Sequence, residues 1–208
     1  MAVKVKICGI TSVKDALVVS GSGADAIGLV FYAKSCRYVS IQQAVEICAA
    51  LPPFISVVGL FLDATKQEVE AVLKRVPLDL LQFHGSESPA YCASFSRPHI
   101  KAVGMIGLDN FSGYADQYPD AKALLVDAHA LGAAGGTGKC FDWQDIPRDY
   151  AKPIILAGGL TPDNIALAVR STAVYAMDLS SGVESSCGVK SAEKIVALMR
   201  EVARGEMQ

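Results

Sequence analysis

Two side chains that can move protons, Cys8 and Asp127, stand where apolar runs of the chain end. A thiol ordinarily has a pKa of about 8.5 and burial raises the pKa of a carboxyl, so their surroundings can make one group a base and the other an acid. On the residues alone, a small buried core thiol is the simpler interpretation of Cys8. Asp127 directly follows the apolar residues Leu124–Val126, where a carboxylate is costly unless it is used or paired. The pair is therefore a candidate for proton transfer.

Two segments rich in glycine and serine suggest an anion site. Gly158 and Gly159 come just before a helical stretch, and Ser181 and Gly182 follow the last apolar run of the chain. Glycine lets backbone amides approach an anion closely, and the amino end of a helix adds a partial positive charge. Either segment alone is equally well explained as a turn. Together, near the end of the chain, they predict a phosphate site.

Arg37 and His84 are the candidates for binding the rest of a substrate. The guanidinium of Arg37 can hold a carboxylate in a forked pair, although an exposed surface arginine is an equally good interpretation. His84, in Gln82–Gly85, can face a ligand, cap a helix or act as an acid. No second histidine stands beside it in the sequence, so no metal site is predicted.

The segment Gly135–Lys139 resembles part of a nucleotide-binding P-loop but fails its requirements. Ala133 occupies the first glycine position, and Cys140 replaces the serine or threonine that would hold magnesium. ATP hydrolysis is therefore not supported. We interpret this segment, which includes Gly136, as a mobile loop that folds over a bound substrate.

The elements that must position these groups alternate between short β-branched runs and longer helical stretches. The predicted strands are Val3–Cys8, Ala26–Phe31, Ser56–Leu62, Leu80–Phe83, Ile100–Val103, Ala123–Val126, Ile154–Ala157 and Val174–Leu179. The predicted helices are Val13–Ser20, Ile41–Ala50, Lys66–Arg75, Pro89–Phe95, Asn110–Gln117, Phe141–Ile146, Pro162–Arg170 and Ala192–Ala203. Helix caps are expected at Ser40, Thr65, Ser88 and Thr161.

This alternation predicts an α/β fold, a single (β/α)8 TIM barrel over residues 1–208. When only the alternation of strands and helices is considered, an open doubly wound sheet is the alternative fold. Several strands are apolar on both faces, as expected for a parallel sheet covered by helices. In such barrels the chemistry lies at the carboxyl ends of the strands, which is where the polar candidates stand, and the loops after the last two strands frequently bind phosphate.

Composition excludes several classes of function. A net charge of −2, with 19% charged residues, gives no basic excess for nucleic-acid binding. No apolar run approaches the roughly 20 residues of a membrane span and no export signal is recognisable, so we expect a soluble cytoplasmic protein. The six cysteines form no C-x-x-C pair and no zinc spacing, which favours reduced thiols over disulfides.

The motifs, taken in order along nearly the whole chain, resemble those of the phosphoribosylanthranilate isomerase family. They are Lys6–Thr11, Gln82–Gly85, Gly136–Gly138 followed by Phe141–Trp143, Leu156–Leu160, and Ser180–Glu184. The sequence departs from the family pattern at Cys36, where proline is expected, and at Phe83, where leucine is usual. The first departure bears on the conformation of the Arg37 loop.

The resemblance implies an Amadori rearrangement in tryptophan biosynthesis, without cofactor or metal. It makes Asp127 the general acid that opens the furanose ring and Cys8 the thiolate base that removes the proton from the second sugar carbon. It also implies that Arg37 orients the anthranilate and that His84 and Gly136 contact substrate. Phosphate would be bound by Gly158, Gly159, Ser181 and Gly182. The partner is thus a small phosphorylated substrate.

Three alternatives stay open at this point. Another sugar-phosphate barrel enzyme is one, but an epimerase would need metal-binding histidines at strand ends, and only His84, His99 and His129 exist. A non-catalytic phosphate sensor would have no use for an acid and a base. The third alternative is dual activity, with a related histidine-pathway aminoaldose phosphate as a second substrate. We expect a monomer, and a homodimer is compatible with the sequence.

Overall fold

The computed structural model describes residues 2–130 and 141–207, in which eight parallel strands close into a barrel in chain order. The strands are β1 (Lys4–Cys8), β2 (Ala26–Val30), β3 (Ser56–Phe61), β4 (Leu80–Phe83), β5 (His99–Ile106), β6 (Ala123–Ala130), β7 (Ile154–Leu156) and β8 (Ala176–Leu179). β1 pairs with both β2 and β8, which closes the sheet. The predicted barrel is confirmed, and the open sheet is wrong.

Helices cover the outside of the barrel. They are α1 (Val13–Gly21), α2 (Ile41–Ala50), α3 (Lys66–Leu73), α4 (Pro89–Cys92), α5 (Phe111–Ala115), α6 (Ile165–Ser171) and α7 (Ala192–Glu206), with 3-10 turns at Trp143–Asp145 and Ser181–Val183. A hairpin of β9 (Glu184–Ser186) and β10 (Val189–Lys190) follows β8 and was not predicted. Among the described residues, no helix is long and apolar enough to cross a membrane.

Helix starts follow the predicted caps in three cases of four. Ser40, Thr65 and Ser88 each accept a hydrogen bond from a backbone N–H in the first turn of α2, α3 and α4. The prediction for Thr161 is wrong, because α6 begins three residues later than the predicted start at Pro162 and Asn164 takes the N-cap position. Asn164 instead accepts from the Thr161 backbone N–H and donates to the Gly159 carbonyl, which ties the turn after β7 to the helix.

Two apolar layers explain why the strands are apolar on both faces. Alternate residues face outward under the helices, as Leu124 and Val126 do, and belong to the larger core. Their neighbour Leu125 faces inward and packs in a second, smaller cluster that fills the barrel. That cluster consists of Ile100, Ala102, Ala123, Leu125, Ile155, Ala157 and Ala176. Because this apolar cluster fills the interior of the barrel, the polar side chains meet at the carboxyl ends of the strands.

A buried ion pair supports one side of this end of the barrel. The Lys101 ammonium lies 2.9 Å from the Glu87 carboxylate, and the Lys101 side chain is fully buried. It also donates to the carbonyls of Phe83 and Gly85, which flank His84. Glu87 accepts in turn from the Asp63 and Gly85 backbone N–H groups. The pair therefore fixes the backbone on both sides of His84.

The expectation of reduced thiols is wrong for one pair of cysteines. Cys36 and Cys187 form a disulfide, with Cα atoms 6.1 Å apart, between the loop after β2 and the β9–β10 turn. These residues are 151 positions apart, so only the closure of the barrel reveals that they are neighbours. Among the described residues, Cys8, Cys48 and Cys92 are free.

Replacing the buried lysine tests how much the barrel depends on it. Lys101→Met should lower the free energy of unfolding by about 3–5 kcal/mol, because the Glu87 carboxylate is left buried without its partner. Adding Glu87→Gln removes that charge and should recover part of the loss. The matched control is Lys122→Met, at an exposed position directly before β6. Urea unfolding measures all three; equal losses for Lys101→Met and Lys122→Met would contradict this account.

Removing the disulfide should destabilise the protein under oxidising conditions. A cross-link that closes so long a loop lowers the entropy of the unfolded chain and contributes up to about 5 kcal/mol. We expect thermal unfolding of Cys36→Ser/Cys187→Ser at lower temperature than the oxidised parent, with no further effect of dithiothreitol. Cys48→Ser is the control for thiol removal. A parent whose melting temperature does not respond to dithiothreitol, with Ellman-titrated thiols confirming reduction, would refute the prediction.

Candidate active site

A pocket of about 310 Å³ opens at the carboxyl ends of the strands and contains most of the predicted site residues. Its wall includes Cys8, Arg37, His84, Asp127, Gly158, Gly159 and Ser181. Gly182 lies behind the wall, where a Cβ atom would overlap the carbonyl oxygen of Leu160. Gly136 and the predicted loop Gly135–Lys139 lie outside the described residues. A larger cleft beside Trp143 and Tyr175 has none of these side chains on its wall.

Cys8 ends β1 and is buried, as its sequence context predicts. A Cβ atom on Gly28 of β2 would come within 2.7 Å of its sulfur, so that glycine provides the space the thiol occupies. Burial raises the pKa of the Cys8 thiol, and the ammonium groups of Lys6 and Lys190 act in the opposite direction. The thiolate is thus a strong base whose formation depends on these two cations.

Lys6 and Asp178 form a buried ion pair beneath the pocket, with Nζ and Oδ1 2.8 Å apart. They are register partners where β1 meets β8, so their side chains face the barrel interior together. Burial raises the pKa of the Asp178 carboxyl, with Lys6 opposing and Asp127 reinforcing that effect. The sequence analysis gave Lys6 no role of its own. It lies two residues before Cys8, however, and a two-residue spacing places both side chains on one face of the strand.

Asp127 lies between two imidazole rings. Its Oδ2 atom is 3.5 Å from Nε2 of His84 and 3.4 Å from Nδ1 of His129, and the two rings stack with centroids 4.9 Å apart. Burial alone would raise the pKa of Asp127, but His129 and His84 outweigh it and hold the pKa below its usual range. The other carboxylate oxygen, Oδ1, points to Gly158. Oδ1 is therefore the oxygen on the side of the glycine turn.

Arg37 is held by a carboxylate of the protein itself. Its Nε and Nη2 atoms donate to Glu184 at 2.8 and 2.7 Å, and Glu184 also accepts from the buried ammonium of Lys190 at 2.8 Å. Burial would raise the pKa of Glu184, but Arg37 and Lys190 lower it. This bidentate pair uses one edge of the guanidinium and leaves Nη1 to bind a second carboxylate. Lys190 also links this cluster to Cys8 electrostatically.

The glycine turn after β7 is tight and needs glycine at both positions. Gly158 and Gly159 both have positive φ, at 87° and 64°. A Cβ atom at Gly158 would come within 2.7 Å of the Ala128 backbone nitrogen, so a larger residue does not fit. Ser181 begins the 3-10 turn after β8, on the same pocket wall. The two predicted segments are therefore adjacent in space.

The sequence analysis missed four residues of this end of the barrel: His129 and Glu184 as neighbours of Asp127 and Arg37, and Lys6 and Lys190 as neighbours of Cys8. His129 could have been found, because it stands two residues after Asp127 and must face the same side of β6. Glu184 stands in the family motif Ser180–Glu184 but was given no role there, and Lys190 lies in the β9–β10 hairpin, which was not predicted.

The arrangement is suited to moving protons on an anionic substrate. A thiol beside two ammonium groups and a carboxylate between two imidazoles share one pocket with a partly free guanidinium and a glycine turn. A base and an acid with different surroundings are what a proton-transfer isomerase requires. The guanidinium and the turn can bind a carboxylate and a phosphate.

Comparison with known sequences identifies the family of this chain. Residues 5–201 match the sequence model of the family described as N-(5'-phosphoribosyl)anthranilate (PRA) isomerase. The N-(5'-phosphoribosyl)anthranilate isomerase of Pseudomonas fluorescens is 53% identical over 203 residues, which cover 98% of this chain and 97% of that protein.

Two solved structures agree with this similarity. The phosphoribosyl anthranilate isomerase of Thermotoga maritima is 38% identical with a TM-score of 0.87, covering 97% of this chain and 99% of that one. A phosphoribosyl anthranilate isomerase in complex with reduced 1-(o-carboxyphenylamino)-1-deoxyribulose 5-phosphate is 36% identical, with a TM-score of 0.84 and the same coverage. The chain therefore belongs to the N-(5'-phosphoribosyl)anthranilate isomerase family, the aldose–ketose isomerases of tryptophan biosynthesis.

Proposed function

We propose that Cys8 and Asp127 carry out the isomerisation of N-(5'-phosphoribosyl)anthranilate as general base and general acid. The observation that carries the proposal is their presence in one pocket in contrasting surroundings, the thiol beside cations and the carboxylate between imidazoles. Protonation of the furanose ring oxygen by Asp127 opens the ring to an iminium. The Cys8 thiolate then takes the proton from the second sugar carbon, which gives an enolamine that tautomerises to the ketone.

The low pKa of Asp127 is compatible with its role as the acid. A carboxyl with a depressed pKa gives up its proton readily, but it is protonated for only a small fraction of the time near neutral pH. An imidazole against Oδ2 can supply that proton, and His84 stands 3.5 Å away on the pocket wall.

The remaining pocket residues bind the two anionic ends of the substrate. Arg37 would accept the anthranilate carboxylate on its free Nη1 edge, while Glu184 holds the opposite edge. Gly158, Gly159 and Ser181 would surround the phosphate with backbone N–H groups, and Gly182 would allow the turn to pack on Leu160. The ligand of the related complex, a carboxyphenylamino deoxyribulose phosphate analogue, carries both anionic groups.

Substituting the base and the acid tests this assignment. Cys8→Ser and Asp127→Asn should each lower kcat by at least about 100-fold, because general acid–base groups contribute about 10²–10⁴ to the rate. Turnover of freshly generated phosphoribosylanthranilate is followed by the loss of its fluorescence. Cys92→Ser, which removes another buried thiol outside this pocket, is the control. Turnover by folded Cys8→Ser at the parent rate would rule out the thiolate as base.

The pH dependence of kcat tests the role of Lys190. Burial raises the pKa of Cys8, so kcat should increase with pH as the thiolate forms. Lys190→Gln removes an ammonium that lowers this pKa, and it should move the rising limb to higher pH. Lys194→Gln removes a nearby ammonium that donates to the Glu184 carbonyl, and its profile should match the parent. Coincident profiles for Lys190→Gln and the parent would refute electrostatic support of the thiolate.

A further inference from the structure

The cluster of His84, Asp127 and His129 has a feature that the proposed chemistry does not explain. Its two contacts, 3.4 and 3.5 Å from Asp127 Oδ2, are longer than usual hydrogen bonds. All three side chains are at least nine-tenths buried, and within the described residues Nδ1 of His129 makes no hydrogen bond of normal geometry. A buried polar atom without a hydrogen bond lowers the stability of the folded protein.

The two distances from Asp127 Oδ2 to the imidazole nitrogens match the distance between neighbouring ligand atoms around a tetrahedral metal ion. Zinc bonds to histidine nitrogen and carboxylate oxygen are about 2.0–2.2 Å long, so neighbouring ligand atoms lie about 3.3–3.5 Å apart. The two measured contacts fall at that spacing, and one atom from each of the three residues can be chosen so that all lie within 4.8 Å of one another. Two imidazoles and a carboxylate also form a donor set that suits zinc and its neighbours in the first transition series.

Gln82 bears on which nitrogen of His84 can bind an ion. It is fully buried, its amide lies 3.0 Å from Nδ1 of His84, and within the described part of the chain its Oε1 atom has no hydrogen-bond partner. Turning the amide by 180° lets Oε1 accept from an Nδ1–H of His84 and moves the –NH2 group to the former position of Oε1. The lone pair of Nε2 then points to Asp127. This is how outer-shell partners orient a metal-ligating histidine.

We propose that His84, Asp127 and His129 bind a divalent transition-metal ion, with zinc as the preferred ion. One ion satisfies His129 Nδ1 directly, and it leaves a fourth coordination position open to the pocket. The sequence analysis expected no metal site because His84 had no neighbouring histidine. The fold supplies that neighbour, since His129 on β6 stacks on His84 at the end of β4.

Bound metal should inhibit the isomerase, and this consequence rests on the proposed function. An ion on Asp127 Oδ2 withdraws electron density from the carboxylate and competes for its proton. It also occupies the imidazoles that would return that proton. A chelator such as EDTA should reverse the inhibition, because no step of the proposed reaction requires the ion.

The test is calorimetric titration of the tag-free, chelator-treated protein with ZnCl2. We expect one equivalent to bind, with MgCl2 giving no heat because magnesium prefers oxygen ligands. His129→Asn should weaken zinc binding by at least about 100-fold, since even outer-shell substitutions cost 10–100-fold. Cys8→Ser, which removes the other metal-binding group of the pocket, should bind zinc as the parent does. Binding that persists in His129→Asn, or is lost in Cys8→Ser, would overturn the site.

Two further measurements separate this site from the proposed catalysis. Zinc should raise the melting temperature of the parent, a result that needs no variant to fold, and a parent with no zinc-dependent shift would overturn the site. Turnover of the parent should fall with zinc occupancy, while His129→Asn, measured against its own metal-free rate, should resist zinc. If Asp127→Asn retained turnover, the acid assignment would fail, whereas the zinc titration of the parent would still decide the metal site.

Discussion

The closure of the barrel between β1 and β8 is the constraint on which the active site depends. It places Lys6 opposite Asp178 in register, and both side chains are buried. An unpaired charge there would be costly, and these two side chains form a pair of opposite sign. Burial raises the pKa of the Cys8 thiol, which lies next to this pair, while the ammonium groups of Lys6 and Lys190 act to lower it.

The same rule explains why residues without a direct chemical role stand close to those with one. Glu184 forms ion pairs with both Arg37 and Lys190, and Lys101 pairs with Glu87 while bonding to the carbonyls on either side of His84. One carboxylate against two cations leaves one positive charge in excess, close to Cys8. In the proposed binding mode, the substrate carboxylate contacts the edge of Arg37 that does not face Glu184.

The sequence predicts the barrel well because its signals are local and repeated. Strand and helix positions follow from apolar periodicity and caps, as for α2, whose predicted and observed bounds are the same. The α6 start was missed because Asn164, not Thr161, closes the turn after β7. Cys36 and Cys187 could not be paired in advance, since no local pattern connects residues 151 positions apart.

A site residue could be predicted when the pattern of its own strand fixes its position. Cys8 and Asp127 end apolar runs, and a two-residue spacing would have added Lys6 and His129 by the same logic. Contacts between residues of different strands cannot be predicted in this way. His84 and His129 become neighbours only because barrel closure fixes the positions of β4 and β6. Sequence reasoning that searches for metal ligands by spacing along the chain therefore misses sites in which each strand contributes only one or two ligands. In a closed parallel barrel, every strand delivers its polar side chains to the same mouth, so ligands from distant positions are the expected case.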